Sequence, residues 1–119
     1  MNDLIEGLLK INIENKENEI YLNWEGDSRD IDPASFLDPY LAGITEQIKT
    51  LGKKLIVNFK DLNSMNSSTV LPILKFIKNL EKESIQTEII FDEESSWQKA
   101  SFIPLSAITK LYKFVKVIR

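Results

Sequence analysis

The chain has 119 residues, 43% of them hydrophobic and 28% charged, with a formal net charge of −3 and a pI near 5.0. It contains no Cys and no His, which excludes disulfide staples, zinc held by Cys or His, and Ser–His or Cys–His nucleophile systems. The length suits a single domain over 1–119 with its own core. No apolar run approaches the roughly 18 residues of a membrane span, and the acidic surplus argues against a nucleic-acid partner. The opening Met1-Asn2-Asp3-Leu4-Ile5-Glu6 carries acids where a secretory signal carries Lys or Arg, so a cytoplasmic location is expected.

From Leu9 the chain alternates, Leu9, Ile11 and Ile13 opposite Lys10, Asn12 and Glu14, as a half-buried strand does. After the polar turn Asn15–Asn18, residues Glu19 to Trp24 alternate again, which predicts an antiparallel hairpin. Gly26–Asp30 reads as a loop. Asp32-Pro33 predicts a helix start, with Asp as N-cap and Pro at the first helical position. Phe36, Tyr40, Ile44 and Ile48 mark one helix face, which Leu37, Leu41 and Leu51 widen. Pro39 predicts a kink or a later start near Asp38, and Gly52 supplies the stop. Leu55 to Leu62 is apolar enough for a central strand.

Met65-Asn66-Ser67-Ser68-Thr69 then bridges to a helical pattern of Val70, Ile73, Leu74, Ile77 and Leu80. A cap at Thr69 would leave Pro72 among the first turn's unpaired donors, where its missing N–H costs nothing. Thr87 to Phe91 reads as a short strand. Asp92-Glu93-Glu94-Ser95-Ser96 reads as a loop rich in capping residues. Trp97 to Phe102 and Pro104 to Tyr112 read as two short helices, or one continued past a break, and Phe114 to Ile118 as a closing strand. The predicted order is β-β-α-β-α-β-α-β. That is an α/β protein with a mixed β-sheet and helices packed on it.

Three consecutive hydroxyls at a strand-to-helix junction can cap the helix, bind an anion, or accept a phosphate, because free backbone N–H groups at a helix start favour negative charge. The element order and this junction resemble the STAS domain, the fold of bacterial anti-sigma-factor antagonists. Their motif, roughly aspartate-serine-serine-glycine, follows an apolar strand and opens a helix. The resemblance is closer to a STAS-like branch holding the SiaC-type regulatory phosphoproteins and cyanobacterial relatives, where an apolar residue, Asn and a hydroxyl run occupy the junction. The Ser96-Trp97-Gln98 step is also similar to that branch. Asn66 stands where the antagonists carry aspartate, and Thr69 where they carry glycine.

The resemblance implies a regulatory phosphoprotein, not an enzyme, with Ser67 as first candidate acceptor, then Ser68 and Thr69. It implies a histidine-kinase-like Ser/Thr kinase of the anti-sigma type, a PP2C-type phosphatase, and an output protein such as a nucleotide cyclase. Met65, Asn66 and Trp97 are the candidate partner-binding residues, although for Trp97 packing under its helix is the favoured reading. The alternative is a small-ligand or lipid-binding STAS-like module that is never phosphorylated. A serine hydrolase would need Lys as base, and no Ser-x-x-Lys spacing stands at the junction. Asp92-Glu93-Glu94 reads as a solvated loop, since adjacent acids alone form no metal cage, and no metal or cofactor is expected. Lys49, Lys53 and Lys54 read as a solvated helix end. Lys110, Lys113, Lys116 and Arg119 give the C-terminus a positive bias.

Overall fold

The alternating segments pair as their pattern requires, and further than it suggests. The computed structural model describes residues 1–118; Arg119, read above as part of a basic face, lies outside the described residues. Strands β1 (Leu4–Glu6), β2 (Leu9–Asn15) and β3 (Glu19–Ser28) lead to helix α1 (Ala34–Leu51). Then come β4 (Lys54–Met65), a 3-10 turn over Ser67–Thr69, α2 (Val70–Lys82), β5 (Thr87–Ile90), α3 (Ser96–Thr109) and β6 (Val115–Val117). The sheet order is β1-β2-β3-β4-β5-β6. The first three strands are antiparallel and the pairs from β3 onward are parallel.

Each parallel step in this order is to the next strand along. Right-handed crossovers taken in one direction place every helix on one face of the sheet. On that face Leu22 and Trp24 of β3, Val57 and Phe59 of β4, and Ile89 of β5 meet Leu37, Ile48, Ile77 and Phe102 from the helices, all fully or nearly fully buried. Phe59 joins the layers: its ring lies 5.2 Å from Trp24 and stacks at 4.4 Å on Phe102 of α3. The opposite face carries a polar ladder. The Asn58 amide donates to Asn23 Oδ1 at 2.9 Å, the Asn23 amide to Glu14 Oε1 at 2.6 Å, and Lys54 pairs with Glu88 at 2.8 Å.

Several sequence expectations are corrected. Leu4–Glu6, too short for a readable period, is a strand because β2 offers it an edge, with Leu4 opposite Ile11. Gly26–Asp30 is not simply a loop: β3 continues to Ser28 through two register shifts against β4. Gly26 makes this possible. Its φ is +85°, and a Cβ there would sit 1.9 Å from the Leu8 carbonyl oxygen, which instead accepts the Asp27 amide at 3.0 Å.

Helix α1 starts at Ala34, and no side chain caps it. Asp32 contributes its backbone carbonyl, accepting both the amide and the hydroxyl of Ser35. Pro39 sits inside α1, where it would leave the Ser35 carbonyl without its helical donor; Ser35 and Pro39 are both exposed, so water can serve that oxygen. Leu51 is 46% exposed, and the buried stripe is Leu37, Leu41, Ile44, Thr45 and Ile48. Gly52 ends the helix as expected, with φ +67° and its amide on the Ile48 carbonyl. Of the two readings around Pro104, the structure has the continued one, a single helix α3 with Pro104 inside it; Ala100, whose carbonyl loses its partner, is again exposed.

Two charged groups tie the elements together. Glu81, near the end of α2, accepts the amides of Lys113, Phe114 and Val115 at 2.9, 2.8 and 3.2 Å. Burial raises this carboxyl, but the three amides and Lys116 outweigh it and hold it below the usual glutamate value of 4.5. Lys116 donates to the carbonyls of Thr109, Lys110 and Tyr112, closing the C-terminal end of α3. The lysines read as a solvated helix end separate: Lys49 pairs with Glu83 at 2.7 Å, Lys53 reaches Asn15 and the Lys16 carbonyl, and Lys54 pairs with Glu88.

Candidate functional site

The β4–α2 junction is built by the strand that precedes it. Pairing between β3 and β4 ends at Ser28 opposite Met65, and the Asn66 amide then donates to the Ser28 carbonyl at 2.9 Å. Asn66 is extended, at φ −85° and ψ 168°, and occupies the N-cap position of the 3-10 turn. Its amide nitrogen donates to the Asp30 carbonyl at 2.8 Å, and its Oδ1 accepts the Thr69 hydroxyl at 2.8 Å. Thr69 Oγ1 lies 2.7 Å from Ser28 Oγ. A hydroxyl has one proton, and that of Thr69 goes to Asn66, so Ser28 donates to Thr69. This chain runs from the interior to the surface: Thr69 is 0% exposed and Ser28 2%, whereas Asn66 is half-buried and Asp30 exposed.

The three junction hydroxyls therefore have different fates. Thr69 is buried and committed. Ser67 and Ser68 are exposed, and among the described residues neither hydroxyl has a hydrogen-bond partner. None of the three caps a helix by its side chain. The sequence signal overlooked was Asn66 itself, an N-cap residue as good as serine, three positions before a threonine able to bond it.

Ser67 and Ser68 line an open groove of about 550 Å³ with Ile31, Asp32, Leu71 and Lys75 among its walls. Ile31 is 94% exposed and Leu71 72%; both stand out as apolar flanks beside the serines, and sequence periodicity missed both. Lys75 reaches Asp38 at 3.2 Å, while the other Asp38 carboxylate oxygen is buried without a partner. A second groove, of about 450 Å³, runs on between α1 and α2, sharing Asp38, Pro72 and Lys75, floored by Leu41 and Phe76 and edged by Lys78 and Lys82. Among the described residues, neither Ser67 nor Ser68 has a base hydrogen-bonded to its hydroxyl, the first requirement for a nucleophile.

The other predicted residues fall elsewhere. Met65 is half-buried against the core. Trp97 is on the first turn of α3, half-buried, its ring 6.1 Å from Phe102, and it does not line the groove beside the serines. Asp92 folds its own loop, accepting the Glu94 amide at 3.0 Å.

No protein-family model matches the chain, and no curated protein does. Among solved structures, the chain is similar to an uncharacterized protein of the DUF3478 family from Shewanella loihica PV-4, described as having a SpoIIAA-like fold. The two are 14% identical, with a TM-score of 0.53 over 100% of this chain and 91% of that one. At this identity the likeness concerns the fold. The protein has a SpoIIAA-like, that is STAS-like, fold, with the Ser67–Thr69 turn at its β4–α2 junction. No helix of the described residues is long and apolar enough to cross a membrane.

Proposed function

We propose that the protein is a non-enzymatic, cytoplasmic regulatory phosphoprotein whose acceptor is Ser67 or Ser68. One observation carries this reading: two exposed hydroxyls without hydrogen-bond partners sit on a turn held rigid by the Ser28–Thr69–Asn66–Asp30 chain. Thr69 leaves the set of acceptors, since a kinase would have to open the core to reach it. Asn66 becomes the positioning residue of the turn. Ile31 and Leu71 supply apolar contact for a partner docked over the serines.

A phosphate adds about −1.5 to −2 charges and three acceptor oxygens. It would enter a groove that holds Lys75 as a cation and Asp32 and Asp38 as repelling anions. The turn and its buried network need not move, so the fold survives while the docking face changes sign and bulk. The STAS-like resemblance supplies the partners: a histidine-kinase-like Ser/Thr kinase, a PP2C-type phosphatase and an output protein such as a nucleotide cyclase. The test is phosphopeptide mapping of protein isolated from its native cell across growth conditions. Phosphate on Ser67 or Ser68 is the expected result, and unmodified serines throughout would sink the reading.

A second reading rests on the groove between α1 and α2. Its apolar floor and its lysines at positions 75, 78 and 82 suit a small anionic amphiphile such as a lipid, bound without any phosphorylation. Native mass spectrometry showing a retained ligand that Phe76→Ala releases would favour it.

A further inference from the structure

Helices α1 and α2 lie side by side on the sheet, and the groove of about 450 Å³ between them has two unlike walls. Its floor is apolar, formed by the edges of Leu41, Pro72 and Phe76, which are otherwise buried. The α1 wall is low, because the short, exposed Ala42 stands there. The α2 wall is high and cationic. Lys75, Lys78 and Lys82 fall within about 60° of one another around the helix and along about 10 Å of its axis. Asp38, the one acid in the lining, already holds Lys75 at 3.2 Å. Lys78 and Lys82 form no salt bridge among the described residues, and Glu83 beside Lys82 is taken by Lys49 at 2.7 Å. In a chain of net charge −3, this groove therefore carries a local surplus of positive charge.

An occupant must match both features: an apolar face for the floor and a row of negative charge along the α2 wall. A lipid carries its charge at one end, whereas these lysines flank the length of the floor, from Lys75 near Pro72 to Lys82 beyond Asn79. A free phosphate or nucleotide would leave the apolar floor uncovered. An amphipathic helix with Asp or Glu beside its apolar face supplies both. The length suits a helix too. At Asp38, Pro72 and Lys75 the groove runs on into the one beside Ser67 and Ser68, where Ile31 and Leu71 are exposed. From Leu71 to Lys82 this trench follows about 17 Å of α2, or about three turns of a docked helix. We propose that the trench docks an acidic amphipathic helix of a partner protein, with Lys78 and Lys82 selecting for its acids. Docking needs no phosphate on the serines and is independent of their modification.

The probe is a displayed library of helices of about 18 residues, with Leu fixed at the i, i+3, i+4 and i+7 spacing and the flanking positions randomised among Glu, Lys and Gln. It is selected against the unmodified recombinant chain. Glu-rich peptides are expected, although the chain as a whole is acidic, and they should shift the amide resonances of Ala42 and Asn79. Lys78→Glu/Lys82→Glu should weaken the selected peptide by about tenfold or more, and selection against this variant should return Lys-rich helices. Lys99→Glu, on α3, should leave the affinity unchanged. The proposal is overturned by no binder, by Lys-rich or neutral binders to the wild type, by shifts confined to another surface, or by full affinity in Lys78→Glu/Lys82→Glu. Sedimentation of the protein with phosphatidylglycerol vesicles through the same two lysines also overturns it, and would give the groove to a lipid. Should the charge reversal fail to fold, Ala42→Tyr, which fills the groove from an exposed position, must abolish binding instead.

Discussion

Two junctions of this protein carry runs of hydroxyls after parallel strands, and they use them in opposite ways. Between β5 and α3, Ser95 is extended and its hydroxyl accepts the Gln98 amide at 3.4 Å, an ordinary side-chain cap. Gln98, 1% exposed, then fastens the junction to the sheet. It accepts the Asp92 amide at 2.8 Å and donates to the carbonyls of Phe59 and Leu62 at 2.8 and 2.9 Å. Between β4 and α2, the work of holding the turn falls to Asn66 and Thr69, and the two serines between them are left outside. The same residue type is structural where its hydroxyl faces an orphan amide. It is available where the side chains of its neighbours, Asn66 and Thr69, bond each other and hold the turn without it.

That contrast can be broken in graded steps. Gln98→Ala strands one part-buried amide and two buried carbonyls, and it should cost about 3 kcal/mol of stability in urea unfolding. Thr69→Val keeps the shape but deprives Ser28 and Asn66 of their partner, for a loss of about 2 kcal/mol by the same measurement. Ser95→Ala removes one cap, and about 1 kcal/mol is expected. The double variant Ser67→Ala/Ser68→Ala should stay within about 0.5 kcal/mol of wild type and, under the proposed function, should take up no phosphate in the native cell. A large loss of stability in that variant would mean the two junctions are built alike and the serines are structural after all.

Acid unfolding gives a control independent of both junctions. The Glu81 carboxyl is held below its usual value in the folded state, so its contribution is present above the unfolded value of 4.5 and is lost as pH falls through the lower folded one. Glu81→Gln should flatten the acid limb of a stability–pH curve, and the double serine variant should leave that limb unchanged.

Much of the fold was legible because it rests on period. The alternation at Leu9–Ile13 and Ile20–Trp24, the helical spacing from Ile44 to Ile48 and from Ile73 to Leu80, and the Gly52 stop are local patterns, and each appears where the pattern placed it. The candidate site was legible only as a location. Composition could not rank three adjacent hydroxyls, because their difference lies in partners 41 residues away, as between Ser28 and Thr69. Ile31 and Leu71 were invisible for a related reason: one exposed apolar residue in a loop and one on a helix acquire meaning only when tertiary packing sets them beside the same two serines.

By itself, then, the sequence determined the alternation of strands and helices from Leu9 onward, the hairpin and the absence of thiol and imidazole chemistry, since these follow from side-chain period, backbone-restricting residues and composition. Tertiary structure decided how far β3 and β4 run, that α3 passes through Pro104, and which serines remain free. Each of these depends on whether a backbone or side-chain polar group finds a partner on another element or is left to water, and no local pattern carries that information.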